Sequence, residues 1–410
     1  MAGANSKSGP SAPESRLDYP LIDADTHYYE PRDFITRCID PAFRDRAVHV
    51  RRTADGLDEL MFGDEPLRFL THHSDFDRAP KPGGLREQFR ALKKTGRLEK
   101  GDQFGVPMDP AWQGWEARLA QMDDQGVGAA LAFPTRGVCF EHLMRRDPDV
   151  LYANLRAFNQ WLYEDWGYAR GDRLFTAPLM NLTDISSAVE ELELALERGA
   201  RAVHLQCGPQ GGRSPADPVY DPFWARIDEA GVPVAFHIGA TGLNEMYSTH
   251  WNEQPDPPAH QQSAFQWTCF YGDTPIMQTL AALIFHNLFG RFPNIHVLSV
   301  EHGSLWVAYL MAAMDKMKGM GRNGPWPGGY VPGRPSEIFR EHVYVVPYHE
   351  DPMAPLAAAI GDERVLFGSD YPHSEGVADP VEFVDALTAF EPDRVQRIMR
   401  ENAAELFQLG

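Results

Sequence analysis

The 410-residue sequence lacks the features that mark membrane and nucleic-acid-binding proteins. It contains no run of about eighteen apolar residues, the length that a membrane-spanning helix needs. Its 58 acidic residues outnumber its 38 basic ones, and the formal net charge of −20 disfavours binding to nucleic acids or anionic membrane surfaces. We therefore expect a soluble globular protein whose partners are small molecules.

Cysteine is scarce, and its spacing disfavours a disulfide framework. The 4 cysteines are far apart and form no C-x-x-C pair, which is typical of a reducing compartment. The first residues are rich in Ser, Pro and Gly and lack the apolar stretch of a signal peptide. We expect residues 1–17 to form a flexible tail, residues 18–410 to form a single domain, and the protein to be cytoplasmic.

Eight short apolar segments recur along the chain, and most of them are separated by stretches with helical spacing. The segments are nearly continuous hydrophobic runs, which is typical of parallel strands covered on both faces. They are residues 19–27, 126–135, 173–182, 199–208, 231–240, 294–303, 341–350 and 364–373. Eight alternations of strand and helix predict an α/β fold of the TIM-like (β/α)8 barrel type.

A doubly wound open sheet would also alternate strands and helices, but no G-x-G-x-x-G turn follows the first strand. The barrel is therefore the preferred interpretation. Two connections are long: roughly ninety residues separate the first two strands, and a Trp/Phe/Gln-rich segment at 241–275 follows the fifth. We expect an insert subdomain at about 35–112, with a hairpin that turns at Gly63–Asp64, and a lid loop after strand five.

Side chains that can bind metal follow the ends of several predicted strands. In a barrel these ends meet at one mouth, where the active site lies. Imidazoles and carboxylates crowded there would repel one another and lose solvation unless a cation compensated them. Such ligands suit a divalent transition metal, Zn, Mn, Fe or Co, as one ion or two. The residues are Asp25, His27 and Glu30 at strand one, His237 at strand five, Glu301 and His302 at strand six, His349 at strand seven, and Asp370 and His373 at strand eight.

Five motifs, taken in order, resemble the metal-dependent amidohydrolase superfamily, in the branch with aminocarboxymuconate-semialdehyde decarboxylase and γ-resorcylate decarboxylase. They are DADTH on strand one, FHIG on strand five, EHG on strand six, FGSDYPH on strand eight and the terminal ENAAELFQL. The resemblance covers about residues 19–408. It implies that the metal ligands are Asp25, His27, His237, His302 and Asp370, and that His302 and Asp370 are also catalytic.

The resemblance implies hydrolysis or non-oxidative decarboxylation of a small organic substrate, because both reactions need nearly the same metal and proton-transfer groups. Asp25 stands where many relatives have His, and strand four has no Lys that could bridge two metals as a carbamate. Arg136, His204 and Trp267 are candidate substrate-binding residues. The aromatic lid would suit a cyclic or aromatic substrate that carries a carboxylate.

Two further interpretations stay open. Some members that resemble this branch hold two metal ions, including iron, and act as dinuclear non-haem oxygenases. Here Glu30, Glu301, His349 and His373 could hold a second ion or orient the ligands of the first. A non-catalytic partner subunit on the same barrel should show gaps in the ligand set, and none is seen. We also expect a homo-oligomer.

Overall fold

The computed structural model is a mixed α/β structure. It describes residues 17–54, 56–73, 75–87, 89–90, 105–259 and 261–409. The predicted tail at 1–17 lies outside these residues except for Leu17, and so does part of the predicted insert, residues 91–104. Among the helices within the described ranges, none is long and apolar enough to cross a membrane.

The strands form two mainly parallel sheets and two small antiparallel ones. They are β1 (Leu21–Tyr28), β2 (Val48–Arg52), β3 (Asp58–Phe62), β4 (Glu65–Pro66), β5 (Arg78–Pro80), β6 (Gly105–Pro107), β7 (Val127–Pro134), β8 (Ala169–Arg170), β9 (Leu174–Thr176), β10 (Leu179–Met180), β11 (Val203–Leu205), β12 (Val234–His237), β13 (Val297–Val300) and β14 (Val343–Val346).

Helices follow most of the parallel strands. The α-helices are Trp115–Asp124, Glu141–Met144, Pro148–Asp165, Ile185–Glu197, Asp221–Ala230, Leu243–Tyr247, Ala264–Cys269, Asp273–Phe285, Leu288–Arg291, Val307–Met320, Pro335–His342, Met353–Ile360, Pro392–Gln396 and Asn402–Leu406. The 3₁₀-helices are Pro41–Arg46, Arg68–His73, Pro110–Trp112, Gly137–Cys139, Pro218–Tyr220, Ser248–Trp251, Asp362–Arg364 and Pro380–Leu387, and Arg397–Glu401 is a π-helix.

The parallel strands neighbour one another in chain order. One sheet has the order β1-β7-β9-β8, and the other has the order β10-β11-β12-β13-β14. β9 and β10 both lie in the predicted third strand, which pairs with β7 through its first part and with β11 through its second. Pro178 separates the two parts, and a proline has no N–H to donate to a ladder.

The predicted eighth strand is not a continuous strand in the structure. Val365 forms a parallel bridge with Val345 of β14, and Tyr371 forms one with Thr26 of β1. Between these bridges the chain bends, because Asp370 has a φ of +53°, in the left-handed region. Residues 364–371 therefore connect the open edge of the second sheet with that of the first.

Apolar residues on both faces of the parallel strands form the core. Strands β1, β11, β12, β13 and β14 are buried at every residue, as expected for strands covered on both faces. The helix Ile185–Glu197 is typical of the outer layer. Its N-terminus is capped by Asp184, whose Oδ1 accepts a hydrogen bond from Ser187 N at 2.8 Å, and it buries Leu192 and Ala195.

The two long connections carry secondary structure of their own. Between β1 and β7, strands β2, β3 and β4 form an antiparallel sheet in which Phe62 pairs with Glu65. This pairing confirms the hairpin predicted at Gly63–Asp64. After β12, the predicted lid at 241–275 contains the short helices Leu243–Tyr247 and Ala264–Cys269.

Gly368 allows residues 364–371 to lie close to β1. A Cβ at this position would collide with Val346 Cγ1 and would lie 2.6 Å from Asp25 Cβ. We expect Gly368→Ala to lower the free energy of unfolding by about 1–3 kcal/mol, the usual cost of overpacking a core. Urea denaturation measures this. The matched control is Gly333→Ala, whose Cβ would meet Ile338 Cδ1 at an ordinary 3.5 Å. Equal stability of both variants and the wild type would contradict the close packing at Gly368.

Candidate metal centre

Two overlapping groups of possible metal ligands lie at the carboxyl ends of the parallel strands. One group is Asp25, His27, His237 and Glu301, and the other is His27, Glu301, Asp370 and His373. Within each group the ligand atoms all lie within 4.8 Å of one another. We call these six residues the metal cluster.

His27 Nε2 is the atom that most of the metal cluster shares. It lies 3.1 Å from His237 Nε2, 3.4 Å from Asp25 Oδ1, 3.4 Å from Asp370 Oδ1 and 3.6 Å from Glu301 Oε2. Glu301 Oε2 is also 3.1 Å from His237 Nε2. Two imidazole nitrogens and three carboxylates therefore meet in one buried place.

The hydrogen bonding of the metal cluster fits a bound cation. His237 Nδ1 lies 2.7 Å from the carbonyl oxygen of Ile238. A carbonyl can only accept, so Nδ1 carries a proton, and Nε2 is the nitrogen whose lone pair the ring can give to an ion in the cluster once its own proton is lost. Asp25 Oδ1 is buried and accepts no hydrogen bond from any residue that the structure describes. Buried carboxylate oxygens without partners are costly, and a divalent cation would compensate them.

Burial and mutual contact shift the pKa values of the metal cluster in opposite directions. Burial raises the pKa of Asp370 well above its usual value, and the neighbouring carboxylate of Glu301 raises it further. Burial also raises the pKa of Glu301. Hydrogen bonds from His237 and His27 outweigh this effect and hold the pKa of Glu301 well below its usual range. Burial lowers the pKa of His237, but the nearby carboxylates of Asp25 and Glu301 outweigh this effect and raise it to about 10. A metal ion has to displace the protons that these imidazoles hold.

Left-handed backbone conformations orient two of the carboxylates. The φ angle is +57° at Glu301, directly after β13, and +53° at Asp370. Such angles are uncommon for residues other than glycine, and the strain that they store often occurs at functional sites. Tyr348 Oη donates a hydrogen bond of 2.7 Å to the carbonyl oxygen of Glu301 and so supports this turn.

Asp23, which the sequence analysis did not single out, joins β1 to residues 368–371. Its Oδ1 accepts hydrogen bonds from Asp25 N at 3.1 Å and from Ser369 N at 2.9 Å, and its Oδ2 accepts one from Ser369 Oγ at 2.5 Å. Burial raises the pKa of Asp23 to about 7, although the hydrogen bonds from Ser369 act in the opposite direction. Asp23 and Asp25 are two residues apart in a buried strand, so their side chains lie on the same face of the sheet. This spacing is the feature of the sequence that could have identified Asp23 as a site residue.

Arg118 is a second residue that sequence reasoning missed. It lies on the helix Trp115–Asp124 and is fully buried. Its Nη2 donates hydrogen bonds to Thr26 Oγ1 at 2.5 Å and to the carbonyl oxygen of His27 at 2.8 Å. Thr26 Oγ1 in turn donates to the carbonyl oxygen of Tyr371 at 2.7 Å. Arg118 therefore holds the end of β1 where it meets Tyr371, and no motif in the sequence points to it.

His373 lies beside Asp370 with a defined ring orientation. Its Nδ1 is 2.8 Å from Asp370 Oδ1, and its Nε2 is 3.0 Å from Thr135 Oγ1. Thr135 Oγ1 uses its one proton to donate to the carbonyl oxygen of Tyr28 at 2.9 Å, so it accepts from His373 Nε2. The opposite nitrogen, Nδ1, therefore faces Asp370.

Glu30 and Arg136, two of the predicted site residues, contact each other. Both are fully buried, and Arg136 Nη1 lies 3.4 Å from Glu30 Oε2. Glu30 Oε1 also accepts hydrogen bonds from the backbone N–H groups of Arg136 at 2.9 Å and Gly137 at 2.7 Å, and Arg136 Nη2 donates to the carbonyl oxygen of Asp75 at 3.1 Å. A buried guanidinium needs such partners. Glu30 thus belongs to neither ligand group, and its carboxylate and the Arg136 guanidinium are engaged with each other and with backbone groups.

His302 belongs to neither ligand group, whereas its neighbour Glu301 belongs to both. Both residues follow the end of β13 at Val300, where the backbone turns at Glu301 with a φ of +57°. His302 is buried, and its Nε2 lies 3.7 Å from Cys207 Sγ. Burial, followed by the nearby His237, lowers the pKa of His302 to about 3.

The other candidate residues lie around the metal cluster. His204 on β11 is buried, and burial together with the neighbouring His237 and His302 lowers its pKa to about 3. Neither of its ring nitrogens has a hydrogen-bond partner among the described residues. The side chain of His349 is 27% exposed, lies 3.4 Å from Glu350 and belongs to neither ligand group. Trp267 lies half-exposed in the lid segment.

Comparison with known proteins gives one family. The sequence model described as "Amidohydrolase" matches residues 22–409. A search of curated proteins finds no match. The solved structure of an amidohydrolase from Mycobacterium avium subsp. paratuberculosis K-10 is 34% identical to this chain with a TM-score of 0.84, and the alignment covers 95% of this chain and 100% of that one.

Two decarboxylases of known structure share the fold. The 5-carboxyvanillate decarboxylase of Sphingomonas paucimobilis is 18% identical with a TM-score of 0.62, covering 96% of this chain and 100% of that one. The 5-carboxyvanillate decarboxylase of Novosphingobium aromaticivorans DSM 12444, in complex with manganese and 4-hydroxy-3-methoxy-5-nitrobenzoic acid, is 17% identical with a TM-score of 0.60, covering 96% and 97%. These neighbours imply a TIM-like barrel, as the order of the parallel strands does.

The different positions of Glu301 and His302 predict different effects on metal binding. Glu301→Gln removes a charged oxygen from the cluster. Loss of a residue that only orients a metal ligand lowers metal affinity by about 10–100-fold, and we expect the Mn²⁺ affinity of Glu301→Gln to fall by more than this. His302→Asn should stay within that range. Titration of Mn²⁺ into the two metal-free variants and the wild type, followed by calorimetry, measures both. A larger loss of affinity for His302→Asn than for Glu301→Gln would show that the ligand is His302.

Proposed function

This chain belongs to the amidohydrolase family, and we propose that it is a metal-dependent decarboxylase that removes a carboxylate, without oxidation, from a small cyclic or aromatic acid. The observation that carries the proposal is the metal cluster, in which His27 and His237 meet three buried carboxylates. The solved decarboxylases of similar fold act on a carboxylated aromatic acid, and one holds manganese.

We further propose that the strands close into an eight-stranded barrel that forms one domain over residues 18–410, with an insert subdomain at about 35–112 and a lid at 241–275. Support comes from residues 364–371, which bridge to β14 at Val365 and to β1 at Tyr371. The remaining parallel strands already pair in chain order, so these bridges supply the missing contact between the two sheets.

A single ion suits the metal cluster best. Both ligand groups contain His27 and Glu301, and the same atom, His27 Nε2, faces Asp25 in one group and Asp370 in the other. An imidazole nitrogen has one lone pair and binds one ion. Glu30, one of the residues predicted as a possible ligand of a second ion, is engaged by Arg136. We therefore assign the ion to the first group and do not propose a dinuclear oxygenase.

The bound ion would supply a Lewis acid that holds and polarises a substrate oxygen. The ligands that we assign to it are Asp25, His27, His237 and Glu301. Two carboxylates in this set favour a metal that accepts oxygen ligands as well as imidazole, such as Mn²⁺ or Zn²⁺. A non-catalytic subunit would have no need of this costly buried arrangement, and we do not propose one.

Asp370 and His373 are the proposed proton-transfer pair. When the carbon–carbon bond to the carboxylate breaks, its electrons remain on the substrate carbon, which then takes up a proton. Asp370 lies 3.4 Å from the ligand atom His27 Nε2 and can give this proton to the substrate carbon beside the ion. His373, whose Nδ1 is 2.8 Å from Asp370 Oδ1, can then protonate Asp370 again. His302 is proposed to contact the substrate through Nδ1, which has no hydrogen-bond partner among the described side chains.

Hydrolysis is a second candidate because the same pair can accept a proton from an attacking water. The 34% identical structure is described as an amidohydrolase, and this is the observation that favours the second candidate. His204, beneath the cluster, and Trp267, in the lid, are proposed to contact the substrate in either reaction.

Elemental analysis of protein never exposed to a chelator tests the metal assignment. We expect about one equivalent of divalent transition metal per chain, because the ligand groups share His27 Nε2. Two equivalents would contradict the single-ion proposal, and less than about a tenth of an equivalent of Zn, Mn, Fe and Co together would contradict the metal site itself.

Assays with hydroxylated and methoxylated benzoic acids test the reaction. We expect release of CO₂, with deuterium from D₂O at the carbon that lost the carboxylate. Asp370→Asn should lower turnover by about 10²–10⁴-fold, the usual contribution of a general acid or base, and should retain metal. Glu350→Gln, which changes a half-exposed carboxylate near the mouth, is the matched control with unchanged turnover. Cleavage of esters, lactones or amides without CO₂ release would favour hydrolysis, and unchanged turnover in Asp370→Asn would exclude this residue from the mechanism.

A further inference from the structure

Thr135 follows directly after β7 and is buried, and its hydroxyl lies between two groups of the site. Its Oγ1 donates a hydrogen bond to the carbonyl oxygen of Tyr28 at 2.9 Å and lies 3.0 Å from His373 Nε2. The backbone N–H of Thr135 donates to the same carbonyl oxygen at 3.2 Å. A hydroxyl has one proton to donate, and here Tyr28 accepts it. Thr135 Oγ1 can therefore only accept a hydrogen bond from His373.

We propose that Thr135 is a positioning residue that keeps a proton on Nε2 of His373 and so leaves Nδ1 as the nitrogen that exchanges a proton with Asp370. This inference rests on the proposed function, in which Asp370 and His373 transfer the proton. The hydrogen bond that one ring nitrogen of a histidine makes decides which nitrogen is protonated. Without its Nε2 proton, His373 would set two lone pairs against each other at 3.0 Å and lose a buried hydrogen bond.

The proposed decarboxylation takes up one proton for each carboxylate that leaves as CO₂. Asp370 gives this proton to the substrate carbon and becomes a carboxylate. The imidazolium form of His373 has an N–H at both nitrogens, and Nδ1, 2.8 Å from Asp370 Oδ1, returns a proton to Asp370. The neutral ring that remains keeps its Nε2 proton, which is shared with Thr135. The side chain of His373 is 11% exposed, so water can supply the next proton.

Aromatic contacts fix the plane of the His373 ring but not the position of its proton. The ring stacks on His27, with centroids 3.9 Å apart and an interplanar angle of 27°, and the Tyr29 ring lies 5.9 Å away at 73°. Such contacts restrict the orientation of the ring without distinguishing one nitrogen from the other. The distinction comes from the polar partners, which are Asp370 at Nδ1 and Thr135 at Nε2.

The buried pair Glu30 and Arg136 holds Thr135 in place. Glu30 Oε1 accepts hydrogen bonds from the backbone N–H groups of Arg136 at 2.9 Å and Gly137 at 2.7 Å, the two residues that follow Thr135. Glu30 itself lies two residues after Tyr28, whose carbonyl oxygen accepts from Thr135. The turns after β1 and β7 are thus joined on both sides of Thr135, and these contacts fix the position of its hydroxyl.

NMR of the ring nitrogens tests the proposal without any substrate. In Zn²⁺-loaded protein with nitrogen-labelled histidine, the chemical shifts show which ring nitrogens are protonated, and His373→Gln identifies the signals of His373. We expect a protonated Nε2 in the wild type and in Thr135→Ser, which keeps the hydroxyl. Thr135→Val has a similar shape but no acceptor, so we expect the proton to move from Nε2 to Nδ1. The same protonation of Nε2 in the wild type and in Thr135→Val would overturn the proposal.

Steady-state kinetics with the acid that the wild type decarboxylates show whether this positioning affects turnover. Thr135→Val should lower kcat by about 10–100-fold, the usual cost of losing a group that orients an imidazole of a metal site, with KM nearly unchanged. Thr135→Ser should recover most of this loss. Thr176→Val is the matched control and should keep the wild-type kcat, because it removes a buried hydroxyl that donates to the carbonyl oxygen of Gly167 at 2.8 Å. Thermal unfolding and metal content show whether each variant folds and binds its ion.

A double mutant tests whether Thr135 acts through His373. In a His373→Ala background, Thr135→Val should cause no further loss of kcat, because two residues that act as a unit are not additive. Equal losses in both backgrounds, or an unchanged kcat in Thr135→Val alone, would overturn the proposal. Failure of the proposed function gives a different result: Asp370→Asn and His373→Ala would then keep the wild-type turnover, or no CO₂ would be released. The NMR measurement would in that case still decide which nitrogen Thr135 keeps protonated.

Discussion

The contact between the end of β1 and residues 364–371 is the constraint on which the metal centre depends. Asp370 N donates a hydrogen bond of 2.8 Å to the carbonyl oxygen of Asp25, and Asp23 binds Ser369 through both carboxylate oxygens. Gly368 allows the two segments to approach, since any Cβ there would meet Asp25. Backbone and buried side-chain contacts thus place the Asp25 and Asp370 carboxylates each 3.4 Å from His27 Nε2 before any ion binds.

Holding like charges together in a buried place is costly, and the surrounding residues offset part of that cost. Arg118, on the helix Trp115–Asp124, donates a hydrogen bond to the carbonyl oxygen of His27. The carbonyl oxygen of Ile238 accepts a hydrogen bond from Nδ1 of His237 and so fixes the orientation of that ring. Glu301 and Asp370 adopt left-handed φ angles that isolated residues avoid. Unfavourable backbone angles and crowded charges persist only where the contacts of the surrounding fold hold them in place. Their concentration around the metal cluster supports its assignment as the functional site.

Polar residues at the strand ends divide into two physical classes. Those of the metal cluster have oxygen or nitrogen atoms that face one another without enough hydrogen bonds, as Asp25 Oδ1 does. Glu30 and Arg136 are equally buried but satisfy each other and nearby backbone groups. The second pair links the turn after β1 to the turn after β7 and so holds these two strand ends together. Burial alone does not distinguish the classes, whereas hydrogen-bond satisfaction does.

The sequence by itself determined the order of the parallel strands, the hairpin at Gly63–Asp64 and the family, because apolar runs, turn residues and short motifs are local signals. It also indicated which strand ends carry metal-binding side chains. Only the tertiary structure decided that Glu301 and not His302 enters the cluster, that Arg136 is bound to Glu30, and that Asp23 and Arg118 hold β1 in place. These outcomes depend on a backbone turn at one residue and on hydrogen bonds between segments up to 346 residues apart, and no local pattern of residues encodes such contacts.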